Sequence, residues 1–133
     1  MASGAKIWFD GSARPNPGAI TVAAVYRGTT SSRDDLGAGT NNDAEWLALL
    51  HAMDVALAHG ERDVVLLGDA MLVIRQAGGA WKCRGADLQR HLAAFQEKAA
   101  LFARIRLRHV ARSHNLAGIA LERSIERKLM EAR

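Results

Sequence analysis

The sequence contains a single cysteine, Cys83, which excludes an internal disulfide framework and any metal site built from several thiolates. The simplest reading of that residue is an inert thiol. No apolar run approaches the roughly 20 residues needed to cross a bilayer. The opening Met1-Ala-Ser-Gly-Ala-Lys6 lacks the apolar segment of a secretory signal. A cytoplasmic protein with no membrane partner is therefore expected. Repeats, linkers and low-complexity stretches are also missing, as are a Ser-His-Asp arrangement and any Cys-His metal spacing. What remains is 133 residues with 49% apolar and 24% charged side chains, the length and balance of one folded domain over residues 1–133.

Lysine and arginine number 18 against 14 aspartate and glutamate, a net +4. The excess is local. Residues 104–133 hold eight basic and three acidic side chains, which leaves residues 1–103 with a net −1. A polyanionic partner and a solvated basic helix face would each account for it.

Lys6 to Phe9 is a short β-rich run, predicted to stop at Asp10-Gly11-Ser12, and Arg14-Pro-Asn-Pro-Gly18 is turn chemistry. Gly18 to Gly28 predicts a second strand, and Thr29 to Gly39 a turn with a short third one. Over residues 43–58, Trp46, Leu49, Leu50, Met53 and Leu57 recur at helical spacing, with Asn42 as the expected N-cap and Gly60 as the stop. Val64 to Leu67 reads as a buried strand leading through Gly68-Asp69 into a helical pattern that ends near Gln76. Met71 and Leu72 in that pattern are expected in the core. Leu88 to Phe102 predicts a helix, Ile105 to Val110 a strand, and Leu116 to Met130 a final helix. The order β-β-β-α-β-α-α-β-α predicts an α/β fold. Its five-stranded mixed sheet would have three antiparallel strands, then parallel ones, flanked by helices. Active sites in open sheets gather at the carboxyl ends of strands, where Asp10 and Asp69 are expected.

Each acidic candidate has a local explanation. Asp10 suits a turn, Asp69 an N-cap, and Glu45 the third position after Asn42, where a capping-box acid stands. Three carboxylates at one edge of a sheet point further, because clustered anions raise one another's pKa unless cations hold them. Hard oxygen ligands suit Mg²⁺ or Mn²⁺. Two such ions about 3.5–4 Å apart clamp the attacking and leaving oxygens of a phosphoryl displacement, with no covalent protein nucleophile. The pattern predicts a metal-dependent nuclease.

Four motifs then resemble type 1 ribonuclease H: Asp10-Gly-Ser-Ala-Arg-Pro-Asn-Pro-Gly18, Thr40-Asn-Asn-Asp-Ala-Glu45, Gly68-Asp-Ala-Met-Leu-Val-Ile-Arg-Gln76 and His109-Val-Ala-Arg-Ser-His-Asn115. They span nearly the whole chain in the family's order. The resemblance implies a ribonuclease H-like fold and endonucleolytic hydrolysis of the RNA strand of an RNA/DNA hybrid, leaving 5′-phosphate and 3′-hydroxyl ends. It implies two Mg²⁺ or Mn²⁺ ions on Asp10, Glu45 and Asp69, and no small-molecule cofactor. Gly11, Ser12, Asn16, Asn41 and Asn42 match the groove that reads 2′-hydroxyls and the minor groove of the hybrid. Their alternative is turn and cap chemistry. Trp81, Lys82 and Arg84 resemble the tract that supports the DNA strand, a core tryptophan with solvated neighbours being the alternative. The basic protrusion that some members insert after that tract is missing, and Arg108 and Arg112 in the basic final segment are expected to compensate. His114 lies where many members place a proton-relaying histidine.

The chain departs from the family at one acid. The fourth aspartate, four residues after an asparagine such as Asn115, falls on Ile119, or on Gly118 with a shift of one. Glu122 is the nearest carboxylate, one turn on. Weak or Mn²⁺-favouring cleavage is the expectation. The competing readings are a module that keeps the fold and binds hybrids or a protein partner, and a nuclease of the same fold that acts on DNA or on RNA ends.

Overall fold

The computed structural model describes residues 4–132; Met1 to Ser3 and Arg133, counted above in the amino-terminal and basic carboxyl-terminal readings, lie outside the described residues. A mixed sheet carries strands β1 (Ala5–Arg14), β2 (Gly18–Tyr26), β3 (Thr29–Arg33), β4 (Ala38–Gly39), β5 (Asp63–Gly68) and β6 (Arg104–His109). Helices are α1 (Asn41–Ala58), α2 (Met71–Ala77), α3 (Ala86–Ala99) and α4 (Leu116–Glu131). Strand order is β3-β2-β1-β5-β6, with β1, β2 and β3 antiparallel and β5 and β6 parallel to β1. The expected five strands thus gain a sixth. Two-residue β4 pairs with Gly18 and Ala19 of β2, and it is too short to carry any alternating pattern in the sequence.

The larger core lies between the sheet and α1. Ile7, Phe9 and Ala13 of β1 and Ile20, Val22 and Ala24 of β2 point the same way by the period-2 alternation of strands. They meet Trp46, Leu49 and Met53 of α1, all fully buried. Helix α3 covers the outer side of α1 through Leu88, Leu92 and Phe95, so α1 is buried nearly all round. On the other side, Ala117 and Leu121 of α4 are fully buried, and α4 packs on β1 and β2. At roughly 25 cal/mol per Å² of apolar surface, each large side chain buried here is worth about 1.5–3 kcal/mol.

Three local expectations change. β1 continues to Arg14 instead of stopping at Asp10, because β2 pairs with it residue for residue, Asp10 opposite Ala23 and Arg14 opposite Ala19. Helix α1 starts two residues earlier, with Thr40 rather than Asn42 as its N-cap. The Thr40 hydroxyl accepts from the Asp43 N–H at 3.1 Å, and the Asp43 carboxylate accepts from the Thr40 N–H at 2.9 Å. Met71 and Leu72 are 40% and 44% exposed, not core, because the short helix α2 buries Val73, Ile74 and Gln76 instead. No described helix is long and apolar enough to cross a membrane.

Candidate active site

The site forms where two strands part. The parallel ladder of β1 and β5 ends with Trp8 opposite Leu67, while β1 runs on beside β2 alone. Asp10 and Asp69 are the first acids beyond that point. Glu45 arrives from the second turn of α1, whose approach depends on Gly11. A Cβ at Gly11 would lie 2.1 Å from the carbonyl oxygen of Ala44, so any side chain there would push the helix away. The capping box belongs to Thr40 and Asp43, and the N-cap of α2 is Ala70, with no side-chain cap bond. Neither Glu45 nor Asp69 therefore has the local structural duty that the sequence allowed.

One carboxylate oxygen from each of Asp10, Glu45 and Asp69 lies within 4.8 Å of the others. Burial raises the pKa of Asp10, and the Asp69 charge adds to the rise. Glu45 is pushed up to about 10, first by burial and then by the Asp10 charge beside it. A hydrogen bond between the two side chains raises the Glu45 pKa further and lowers that of Asp10. Glu45 Oε2 is buried with no hydrogen-bond partner. Three crowded hard-oxygen donors, one of them orphaned, fit divalent cations, which would replace the Glu45 proton and relieve the repulsion.

The cluster opens into a cavity of about 290 Å³ also lined by Gly11, Ser12, Asn41 and Arg112. Asn41 is held on both sides: its Oδ1 accepts from the Ala13 N–H at 2.9 Å, and its own N–H donates to Asn16 Oδ1 at 3.0 Å. Asn16 is thereby fixed at the rim. Asn42 occupies the first turn of α1 without lining the cavity. The Asp43 carboxylate also accepts from His91 Nε2 at 2.9 Å, and the His91 ring stacks on Trp46 with centroids 6.0 Å apart, which ties this end of α1 to α3.

Trp81 and Lys82 follow α2, outside the cavity. Trp81 is 48% exposed, which removes the core alternative for it. His114 ends a 3-10 turn over Arg112–His114 and is exposed; the cavity is lined from that turn by Arg112 and not by His114. The Arg112 charge helps to hold down the Asp10 pKa. Cys83 is half-buried and burial pushes its thiol pKa up, as an inert thiol requires.

At the position of the missing acid, a Cβ on Gly118 would stand 3.4 Å from Asp10 Oδ2, and Ile119 borders the same opening. Glu122 also lines the cavity but is not in the carboxylate cluster. Its Oε1 accepts from Arg14 Nη2 at 2.6 Å, a pair 108 residues apart in sequence. Two residues have roles that the sequence reading did not assign. One is Arg14, which stood in a turn and in the first motif without a role of its own. The other is Asn115, fully buried, which caps α4 through the Ala117 N–H and donates from Nδ2 to the Phe9 carbonyl at 3.0 Å. The signal available for Asn115 was an N-cap residue ahead of an apolar-periodic run.

A family profile described as reverse transcriptase-like matches residues 9–123. Ribonuclease HI of Halobacterium salinarum is 35% identical over 119 residues, 86% of this chain and 60% of that protein. A bifunctional protein of Mycobacterium tuberculosis is 33% identical over 112 residues, 80% of this chain and 31% of that protein. The chain thus spans less than two thirds of either relative. Among solved structures, RNase H1 of Halobacterium salinarum superposes with a TM-score of 0.82 at 33% identity, covering 88% of this chain and 92% of that one. The amino-terminal RNase H domain of the mycobacterial protein gives 0.85 at 28% identity, covering 99% and 100%. A compost-derived RNase H1 in complex with an RNA/DNA hybrid gives 0.78 at 26% identity, covering 93% and 98%.

Proposed function

Because the chain belongs to the ribonuclease H-like family, we propose that it is a metal-dependent endonuclease that hydrolyses the RNA strand of RNA/DNA hybrids, leaving 5′-phosphate and 3′-hydroxyl ends. The observation that carries this reading is the cluster of Asp10, Glu45 and Asp69, within 4.8 Å of one another, in a cavity whose other walls include Ser12, Arg14, Asn41 and Arg112. Two Mg²⁺ or Mn²⁺ ions held by these acids would activate water and neutralise charge at the scissile phosphate.

Each remaining residue has a task set by its chemistry. Gly11 and Ser12, with Asn16, Asn41 and Asn42, offer amides, hydroxyl and carboxamides that bond to 2′-hydroxyls without choosing a sequence. Arg112, at the cavity wall, pairs with a backbone phosphate. Trp81 presents an exposed indole to a sugar of the DNA strand, and Lys82 meets its phosphate. His114, in the turn beside Arg112, carries the proton away from the reacting water. With Gly118 and Ile119 in place of a fourth acid, and Glu122 neutralised by Arg14, cleavage should be weak or should favour Mn²⁺.

The test is cleavage of an end-labelled hybrid with Mg²⁺ and then Mn²⁺ by the native protein, Asp10→Asn and Ile119→Asp. Loss in the first variant and gain in the second are expected. The second reading, a hybrid-binding module with little turnover, is favoured by the same missing acid. Retained hybrid binding with no cleavage under either metal would establish it.

A further inference from the structure

On the far side of α4, away from the acid cluster, the residues Ala120, Arg123, Ser124 and Arg127 form one stripe at helical spacing. This stripe faces Thr30 and Ser32 of β3 across a groove of about 320 Å³. The groove has three hydroxyls along its walls and two guanidinium groups at its mouth. Among the described residues, neither Arg123 nor Arg127 has a carboxylate within ion-pair distance. The nearby acids are already engaged, Asp35 by Arg33 and Asp34 by Lys128, and Glu126 borders the neighbouring opening instead. Unpaired arginines beside hydroxyls make a phosphate-binding surface.

The groove meets the acid site at one side chain. Arg123 lines both this groove and the opening that Asp10 shares with Gly118 and Ile119. A strand leaving the acid cluster along α4 would therefore meet Arg123 and then Arg127, one helical turn on. No aromatic side chain lines the groove to stack bases, so recognition would be of a single backbone. Hydroxyls of Thr30, Ser32 and Ser124 both donate and accept, which suits the 2′-hydroxyl of RNA.

We propose that the β3–α4 groove binds the phosphodiester backbone of single-stranded RNA that extends beyond the hybrid, with Arg123 and Arg127 on its phosphates. The identity of the strand rests on the ribonuclease reading above. Two phosphate contacts to a single strand steepen the salt dependence by about 1.4 in log–log slope, an extra loss of about sevenfold between about 50 and about 200 mM salt.

The experiment measures binding by fluorescence anisotropy in the Asp10→Asn background. It compares a blunt hybrid with hybrids that carry a 5′ or 3′ single-stranded extension, made of RNA or of DNA. An RNA extension at one end should tighten binding several-fold and add the expected salt slope. Arg127→Glu added to the Asp10→Asn background should remove the increment, and introduced alone into the native protein it should leave blunt-hybrid cleavage unchanged. Ser32→Ala with Ser124→Ala keeps the charge and should narrow the gap between RNA and DNA extensions. The inference is overturned if neither RNA extension tightens binding, if DNA extensions tighten it equally, or if Arg127→Glu weakens blunt and extended hybrids alike. Failure of the ribonuclease reading would look different: the blunt hybrid itself would be neither bound nor cut.

Discussion

Replacing Glu45 by glutamine should stabilise the metal-free protein, and the size of the effect follows from linkage. In the unfolded chain Glu45 ionises near 4.5, whereas in the fold burial and the charges of Asp10 and Asp69 push it up to about 10. A raised folded pKa favours the fold below the unfolded value, and that advantage is lost as pH rises toward the folded one. At neutral pH the folded protein must keep a proton that the unfolded chain releases. Each pH unit above 4.5 costs about 1.4 kcal/mol, so the penalty at pH 7 is roughly 3 kcal/mol. A carboxamide carries no such penalty and still donates to Asp10. Allowing for relaxation, Glu45→Gln should gain about 2–3 kcal/mol at pH 7, or about 6–10 °C in Tm for a chain of this size. The assay is thermal unfolding in chelator-treated buffer from about pH 4 to about pH 8. The difference between the two proteins should vanish near pH 4, where both chains are protonated. Mg²⁺ at about 100 times its Kd should return roughly 2.7 kcal/mol to the native protein and much less to the variant. An unchanged or lowered Tm at pH 7, or a difference that ignores pH, would refute the reasoning.

Asn115→Ala removes the α4 cap and leaves the Phe9 carbonyl buried without its donor. The expected cost is about 2–4 kcal/mol by urea unfolding, and a change below about 0.5 kcal/mol would contradict it. Gly11→Ala places a methyl 2.1 Å from the Ala44 carbonyl, so α1 must shift and carry Glu45 with it. Stability should fall by at least about 2 kcal/mol, and divalent-ion binding measured by calorimetry should weaken in parallel. Hybrid binding should be steeply salt-dependent, and reversing charge at Arg108 and Arg112 should flatten the slope by roughly 1 or more per residue that meets phosphate. An unchanged slope would show that Arg108 and Arg112 do not meet the substrate's phosphates.

Local patterns were legible where one period dominates. Trp46, Leu49, Leu50 and Met53 marked α1 because a helix buried on one sheet must place apolar groups every three to four residues, and all four are buried. The continuous run Val64 to Leu67 marked a strand covered on both faces. The carboxyl half of β1 escaped detection, since Asp10-Gly11-Ser12 has poor strand propensity and is held extended by β2 across the turn. The start of α1 was misplaced because Thr40, Asn41 and Asn42 are all competent caps, and only the reciprocal bonds of Asp43 select Thr40. Exposure was harder still: Trp81 and Met71 are apolar by type, yet the fold leaves nearly half of each side chain uncovered.

The sequence by itself determined the order of the helices and of every strand but β4, the three acids and the absence of a fourth, because these depend on residue type and on periods within a few turns of chain. The tertiary structure alone decided that Asp10, Glu45 and Asp69 converge within 4.8 Å, that Glu122 turns to Arg14 instead, and that Arg123 and Arg127 stand unpaired above three hydroxyls. Those relations join residues up to 108 positions apart, and their distances are set by how closely α1 and α4 pack on β1, down to the Cβ that Gly11 lacks.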